Sequence, residues 1–94
     1  MIKHIVMWKF KENENENKKK FLDGLKALNG VIPEIKYMEV KESVNEKNAF
    51  DACLIAKFEN MEDLEKYKND PRHVKVSNLC KEIRENRAAI DIEG

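Results

Sequence analysis

The chain has no excess of charge of either sign. Lysine and arginine together number 18, aspartate and glutamate also number 18, and the formal net charge is +0. Binding to nucleic acid or to an anionic membrane relies on a cationic excess that releases counterions. The balance therefore argues against both partners. The places where a local basic patch could still form are Lys18 to Lys20 and a second group, Lys66, Lys68, Arg72 and Lys75.

Cysteines and long apolar runs are also scarce. Cys53 and Cys80 form neither a disulfide framework nor a zinc-binding spacing, and their apolar surroundings favour small buried side chains over reactive thiols. No run approaches the ~20 apolar residues of a membrane span. The opening MIKHIVMWKFK alternates and is interrupted by lysines, unlike a signal peptide. We therefore expect a cytoplasmic protein that makes no contact with membranes.

Metal ligands are few as well. The chain has two histidines, His4 and His73, and neither has a neighbouring cysteine or acidic cluster. Zinc sites in proteins are built from such combined ligand sets. The sequence therefore predicts no metal site, and nothing in it points to a cofactor.

Alternating polarity predicts four β-strands. In the first strand, one face carries a histidine and four apolar residues: Ile2, His4, Val6, Trp8 and Phe10. In the third strand, Phe50, Ala52, Leu54, Ala56 and Phe58 share a face in the same way. The four predicted strands cover residues 2–11, 34–42, 50–59 and 87–93.

Helical spacing of apolar residues predicts a helix through Phe21, Leu22, Leu25 and Leu28. We expect an asparagine between positions 13 and 17 to cap it, with the ion pairs Glu14/Lys18 and Glu16/Lys20 in its first turns. Asn29-Gly30 and Pro33 end this helix.

A second helical region begins after Asn60, a predicted N-cap with Asp63 at the third helical position. It is interrupted at Asp70-Pro71, where Asp70 is expected to cap a new helix that has proline at its first position. The order β-α-β-β-α-β predicts an α+β, ferredoxin-like fold with a four-stranded antiparallel sheet. Residues 1–94 are expected to form a single domain.

Both faces of the predicted sheet carry apolar residues. One set includes Val6, Trp8, Leu54 and Phe58, and the opposite set is interpreted as Ile5, Met7, Met38, Val40, Cys53 and Ile55. The helices can cover only one face, and the other would be a large exposed apolar patch. Two sheets packed face to face across a two-fold axis would bury both patches, so the pattern predicts a homodimer.

Three segments, IKHIVMWKFK, FENMEDLEKY and YKNDPRHVKV, together with the closing strand, resemble the stress-responsive A/B barrel (Dabb) family over essentially the whole chain. The resemblance implies a dimeric α/β barrel built from two ferredoxin-like subunits. Most members of that family have no assigned activity, and some are associated with stress responses. A few plant relatives are polyketide cyclases that act without a cofactor. The similarity of this chain to these cyclases implies that His73 is the catalytic base, that Tyr67 supports the substrate or a water molecule, and that His4 lies at the same pocket.

The position of His73 can also be considered without the resemblance. If Asp70 is the N-cap, His73 is the third residue of the helix, where the positive helix end favours a neutral ring. A neutral imidazole suits a general base. The carboxylate of Asp70 would raise the pKa of His73, so the net direction stays open. In the structural alternative, His73 only packs and hydrogen-bonds across the turn.

Three hypotheses for function follow. The first is a pocket between sheet and helices for a hydrophobic small molecule, lined by Val6, Trp8, Phe21, Leu25 and Leu54, with His73, Tyr67 and His4 as its polar groups. Its chemical form is a cofactor-free cyclase or lyase acting on a hydrophobic carbonyl substrate. The second is a non-catalytic dimeric module in which these residues are structural. The third, quinol-type monooxygenase chemistry, rests on fold analogy alone.

Overall fold

Seven elements follow one another in a computed structural model that describes residues 1–94. They run β-α-β-β-α-α-β: β1 (Ile2–Phe10), α1 (Asn15–Lys26), β2 (Tyr37–Glu42), β3 (Ala52–Phe58), α2 (Met61–Asn69), α3 (Pro71–Ile83) and β4 (Arg84–Glu93). The second helical region is split at Asp70, where proline cannot continue a helix, as the sequence predicted.

The four strands form one sheet in the order β2-β3-β1-β4, and all three neighbouring pairs are antiparallel. This is the predicted ferredoxin-like arrangement, which is thereby confirmed. Three strand starts differ from the prediction, and β3 begins at Ala52 rather than at position 50. β4 begins at Arg84 rather than at position 87, because the chain passes directly from α3 into the sheet, where Arg84 pairs with Phe10. β2 begins at Tyr37 rather than at position 34, since the residues after Pro33 form turns.

The core lies between the helices and one face of the sheet. Apart from the half-buried Ile2, the even-numbered residues of β1 and β3 are buried there, together with the predicted apolar stripe of the first helical region. The helices pack mainly over β1, β2 and β3. On the same side of β4, Arg87, Ala89 and Asp91 stand opposite Trp8, Val6 and His4 and are exposed. The region beside β4 is therefore open on the helix side of the sheet.

The assignment of Met38 and Val40 to the outer face is wrong. Val40 pairs with Leu54 and Met38 pairs with Ala56, which places both on the face covered by the helices. Val40 is buried at 6% exposure. Alternation within β2 shows which of its residues share a face, but the pairing with β3 decides which face that is.

The remaining outer-face assignments hold, and β4 adds to them. Ile5 and Met7 pair with Ile55 and Cys53 on one side, and with Ile90 and Ala88 on the other. The outer apolar patch is therefore defined by Ile5, Met7, Cys53, Ile55, Ala88, Ile90 and Ile92. It lies toward β4 rather than β2, whose outer residues include Glu39 and Lys41.

The start of α1 also differs from the expectation. Its N-cap position is Glu14, without a side-chain capping hydrogen bond. Asn13 has a φ of 65°, a left-handed conformation that asparagine tolerates, and the chain thus turns before the helix begins. The predicted i,i+4 pairs are replaced by Lys18 with Glu42 at 3.1 Å and Lys19 with Asp23 at 2.7 Å.

The longest helix, α3, has 13 residues. None of the three helices is both long enough and apolar enough to cross a membrane.

Candidate functional site

A cavity of about 360 Å³ lies between the sheet and the three helices, beside the uncovered strand β4. Its volume falls in the range of small-molecule sites. The structure brings all eight sequence-nominated residues to this one cavity. They are the apolar residues Val6, Trp8, Phe21, Leu25 and Leu54 and the polar residues His4, Tyr67 and His73.

The apolar wall of the cavity is well packed. The rings of Trp8 and Phe21 meet edge to face with centroids 5.0 Å apart, a favoured geometry for aromatic pairs. Val6, Leu25 and Leu54 are each exposed by 2% or less. These side chains are anchored in the core and present a preformed apolar surface to the cavity.

The start of α3 positions His73. Asp70 is the N-cap, as predicted, and its carboxylate accepts a hydrogen bond from the Arg72 backbone N–H at 2.9 Å. The Nδ1 atom of His73 lies 3.1 Å from the backbone oxygen of Lys68. Because a carbonyl oxygen only accepts, Nδ1 carries the hydrogen, and Nε2 of the neutral ring carries the lone pair.

Burial lowers the pKa of His73, and this is the largest influence on it. Asp70 acts in the opposite direction but least of all, since its carboxylate is already held by the Arg72 guanidinium at 2.8 Å. The direction that the sequence left open is therefore downward. The imidazole of His73 is neutral near pH 7 and able to accept a proton.

His4 is the buried histidine of β1, exposed by only 4%. Its Nδ1 donates to the Asp91 carboxylate at 2.5 Å. Burial nevertheless lowers the pKa of His4, outweighing the opposite effect of Asp91. The sequence analysis did not identify Asp91. The signal that could have found it is the antiparallel register of β1 and β4, which places Asp91 opposite His4.

Tyr67 lies between the two histidines and is fully buried. Its ring centroid is 4.3 Å from that of His73 and 6.5 Å from that of His4. The buried hydroxyl has no hydrogen-bond partner, and burial raises its pKa, so the phenol keeps its proton. An unpaired buried hydroxyl costs about 1–3 kcal/mol. The protein thus holds a free hydrogen-bond donor next to the cavity.

Sequence reasoning missed six other lining residues: Lys68, Ser77, Cys80, Lys81, Arg84 and Arg87. Three of them follow His73 at helical spacing, at positions 77, 80 and 81, which would have predicted a shared face. Arg87 stands opposite Trp8 on β4. Burial raises the pKa of the Cys80 thiol, which keeps it protonated and unreactive.

No three side chains of His, Cys, Asp or Glu lie close enough together to hold a metal ion. A second cavity, of about 380 Å³, lies at the end of the sheet near the β2–β3 loop and contacts Met7 and Cys53. It contains no histidine or tyrosine. Both histidines of the chain, together with Tyr67, therefore lie at the first cavity.

The fold and this cavity define a ferredoxin-like α+β domain with a site between its sheet and helices. The model of the Stress responsive A/B Barrel Domain (Dabb) family matches residues 2–94, and the chain belongs to that family. This confirms the resemblance found in the sequence. No curated protein sequence matches the chain.

Solved structures agree with this fold. A dimeric ferredoxin-like protein of unknown function from Bacteroides fragilis is 28% identical, with a TM-score of 0.91 over 99% of this chain and 95% of that one. A dimeric ferredoxin-like protein of unknown function from Thermobifida fusca is 17% identical, with a TM-score of 0.88 over 99% and 90%. The hydroxynitrile lyase of Passiflora edulis is 13% identical, with a TM-score of 0.85 over 97% and 90%.

Proposed function

We propose that this protein is a homodimer that binds a hydrophobic small molecule in the cavity between its sheet and helices. The observation that carries the proposal is the hydroxyl of Tyr67, a residue of the cavity lining, which is buried without a hydrogen-bond partner. Buried polar groups are normally hydrogen-bonded. A ligand oxygen in the cavity would accept from this hydroxyl while the apolar part of the ligand packs against Trp8 and Phe21.

The outer apolar patch supports the homodimer. Three of its members are exposed large side chains: Met7 at 38%, Ile90 at 58% and Ile92 at 39%. Contiguous exposed apolar surface of this kind marks an interaction site. Face-to-face packing of two sheets would bury it on both copies, and the Bacteroides fragilis and Thermobifida fusca proteins are described as dimeric.

A ligand screen tests the binding function. Trp8 is the only tryptophan of the chain and lines the cavity, so its fluorescence reports occupancy directly. A hydrophobic carbonyl or phenolic compound at about 100 times its Kd should stabilise the fold by about 2.7 kcal/mol. We expect hits to raise the Tm and change Trp8 emission, with both effects weakened in Tyr67→Phe. Hits that raise the Tm without affecting Trp8 would contradict the assigned site.

A second candidate function is a cofactor-free cyclase or lyase, favoured by the neutral His73 with its lone pair on Nε2. In this mechanism Nε2 takes a proton from a carbon next to a carbonyl, and the C–H electrons move onto the carbonyl oxygen to give an enolate. The Tyr67 hydroxyl would stabilise that oxygen by donating a hydrogen bond. The enolate carbon then attacks a second carbonyl or is reprotonated. The Passiflora edulis lyase is an enzyme with this fold.

Deuterium exchange distinguishes the enzyme from a binding protein. In heavy-water buffer, a hydrophobic ketone bound to the protein should exchange the hydrogens next to its carbonyl for deuterium faster than the same ketone does without the protein. We expect His73→Gln to abolish the acceleration, whereas Lys75→Gln, an exposed change on the same helix, should keep it. Ligand binding without accelerated exchange would leave a non-catalytic dimeric module, with His73 in a structural role.

A further inference from the structure

Charge is distributed unevenly between the cavity and the rest of the molecule. The chain has equal numbers of acidic and basic residues, 18 of each. None of the 14 residues lining the cavity is an aspartate or a glutamate, whereas four are cationic: Lys68, Lys81, Arg84 and Arg87. The lining of the cavity is thus cationic in a protein that is neutral as a whole, and the one carboxylate bonded to a lining residue is that of Asp91, which His4 holds.

Three of the four cavity cations lack a carboxylate partner, as do several lysines elsewhere on the surface, among them Lys20 and Lys75. The cations of the two basic clusters noted in the sequence mostly pair with carboxylates: Lys18 with Glu42, Lys19 with Asp23, Lys66 with Glu62, and Arg72 with Asp70. Lys68 pairs with Glu65 at 3.7 Å. Lys81, Arg84 and Arg87 have no carboxylate within 4.0 Å. Three cations of the cavity are therefore free to meet a charge from outside the chain.

We infer that the cavity takes an amphipathic acid, whose carboxylate is held by Arg84 and Arg87 while its apolar body lies against Trp8 and Phe21. The inference rests on the ligand-binding function proposed above and specifies its substrate class. Both arginines belong to the start of β4, the side on which the helices leave the cavity open. A guanidinium matches a carboxylate with two parallel hydrogen bonds.

The interior of the cavity agrees with this assignment. Arg87 contributes to lowering the pKa of both His4 and His73, so its positive field extends to the polar groups of the site. The unpaired hydroxyl of Tyr67 adds a neutral donor. The cavity therefore offers cations at β4 and a neutral donor inside, next to apolar walls. An acid that also carries a carbonyl or hydroxyl oxygen would satisfy both.

The test compares an acid with its uncharged amide. The probes are 4-cyclohexylbutanoate and 4-cyclohexylbutanamide, which do not absorb where Trp8 emits, and Kd is measured from Trp8 fluorescence. We expect the acid to bind the wild type about tenfold more tightly than the amide, the value of one charge-assisted hydrogen bond. The double variant Arg84→Gln/Arg87→Gln should lose this preference, because its affinity for the acid should fall further than its affinity for the amide.

A matched control removes the same charge elsewhere. Lys20→Gln/Lys75→Gln changes two exposed cations outside the cavity, and the preference should survive. Raising the salt from about 50 mM to about 300 mM should weaken the acid more than the amide. Equal binding of acid and amide, or a preference that survives loss of both arginines, would overturn the inference and leave the ligand-binding function intact. If neither the acid nor the amide binds, the result would contradict both the acid preference and the proposed ligand-binding function.

Discussion

Two buried histidines and a tyrosine with an unpaired hydroxyl define the site at the scale of single residues. The sequence nominated His4, Tyr67 and His73 but left the protonation of His73 open. Burial decides it, because the cost of desolvating a cation exceeds the small influence of Asp70. Desolvation depends on what packs around a side chain, which is a property of the folded chain and not of its neighbours in sequence.

The histidines make stability depend on pH. In the folded chain the pKa of each lies below the ordinary value of 6.5, so the unfolded chain binds more protons as the pH falls through 6.5. The free energy of unfolding should therefore fall as the pH is lowered from about 7.5 to about 5.5. Each histidine contributes at most about 1.4 kcal/mol for each pH unit. Urea unfolding at several pH values measures this.

The variant His73→Gln should show a shallower dependence over the same pH window. The carboxylate of Asp70, with a pKa of about 2, titrates well below this window and does not contribute to it. An unfolding free energy that is constant with pH, or a slope unchanged in His73→Gln, would contradict the assigned burial.

Tyr67→Phe should separate stability from binding. The hydroxyl is buried without a partner, so its removal should leave the unfolding free energy unchanged or raise it by about 1 kcal/mol. Ligand affinity should fall in the same variant. The control is Tyr37→Phe, which removes an exposed hydroxyl bonded to Glu39 and should alter neither quantity by more than about 0.5 kcal/mol. A marked loss of stability in Tyr67→Phe would indicate an internal partner for the hydroxyl.

At the scale of helices and strands, the caps of α2 and α3 were predicted correctly, whereas the N-cap of α1 and the inward face of β2 were not. Asn60 and Asp70 cap α2 and α3 as expected, since capping depends on a few adjacent residues. The placement of Met38 and Val40 failed because it depends on how β2 aligns with β3. The cations of β4 were missed for the same reason: only the pairing with β1 places Arg87 opposite Trp8.

The two caps provide a paired experiment on α2 and α3. Asp70→Ala and Asn60→Ala each remove a side chain that accepts a backbone N–H at 2.9 Å. Each should lower the unfolding free energy by about 1 kcal/mol. Only Asp70→Ala should also weaken ligand binding, because the first turn of α3 positions His73. Equal loss of affinity in both variants would show that the effect arises from general destabilisation, not from the start of α3.

The whole molecule places two surfaces on opposite faces of the same strands. In β1, His4, Val6 and Trp8 face the cavity, whereas Ile5 and Met7 belong to the outer apolar patch. Since side chains alternate along a strand, a substitution on one face leaves the other in place. Association and ligand binding should therefore be separable by mutation, although the same strands carry both.

The substitution Ile90→Lys tests this separation. Ile90 is 58% exposed on the outer face, and a lysine there would place two like charges in a desolvated interface across the two-fold axis. Light scattering at micromolar concentration should give the wild type about twice the chain mass of 11.1 kDa and give Ile90→Lys the mass of one chain.

The control is Val44→Lys, at a fully exposed position in the β2–β3 loop, which should remain a dimer. A monomeric wild type would refute the dimer, and a dimeric Ile90→Lys would place its interface elsewhere. Because the cavity lies on the other face, the monomeric variant should keep the ligand affinity of the wild type, which would show that the site is complete within one chain.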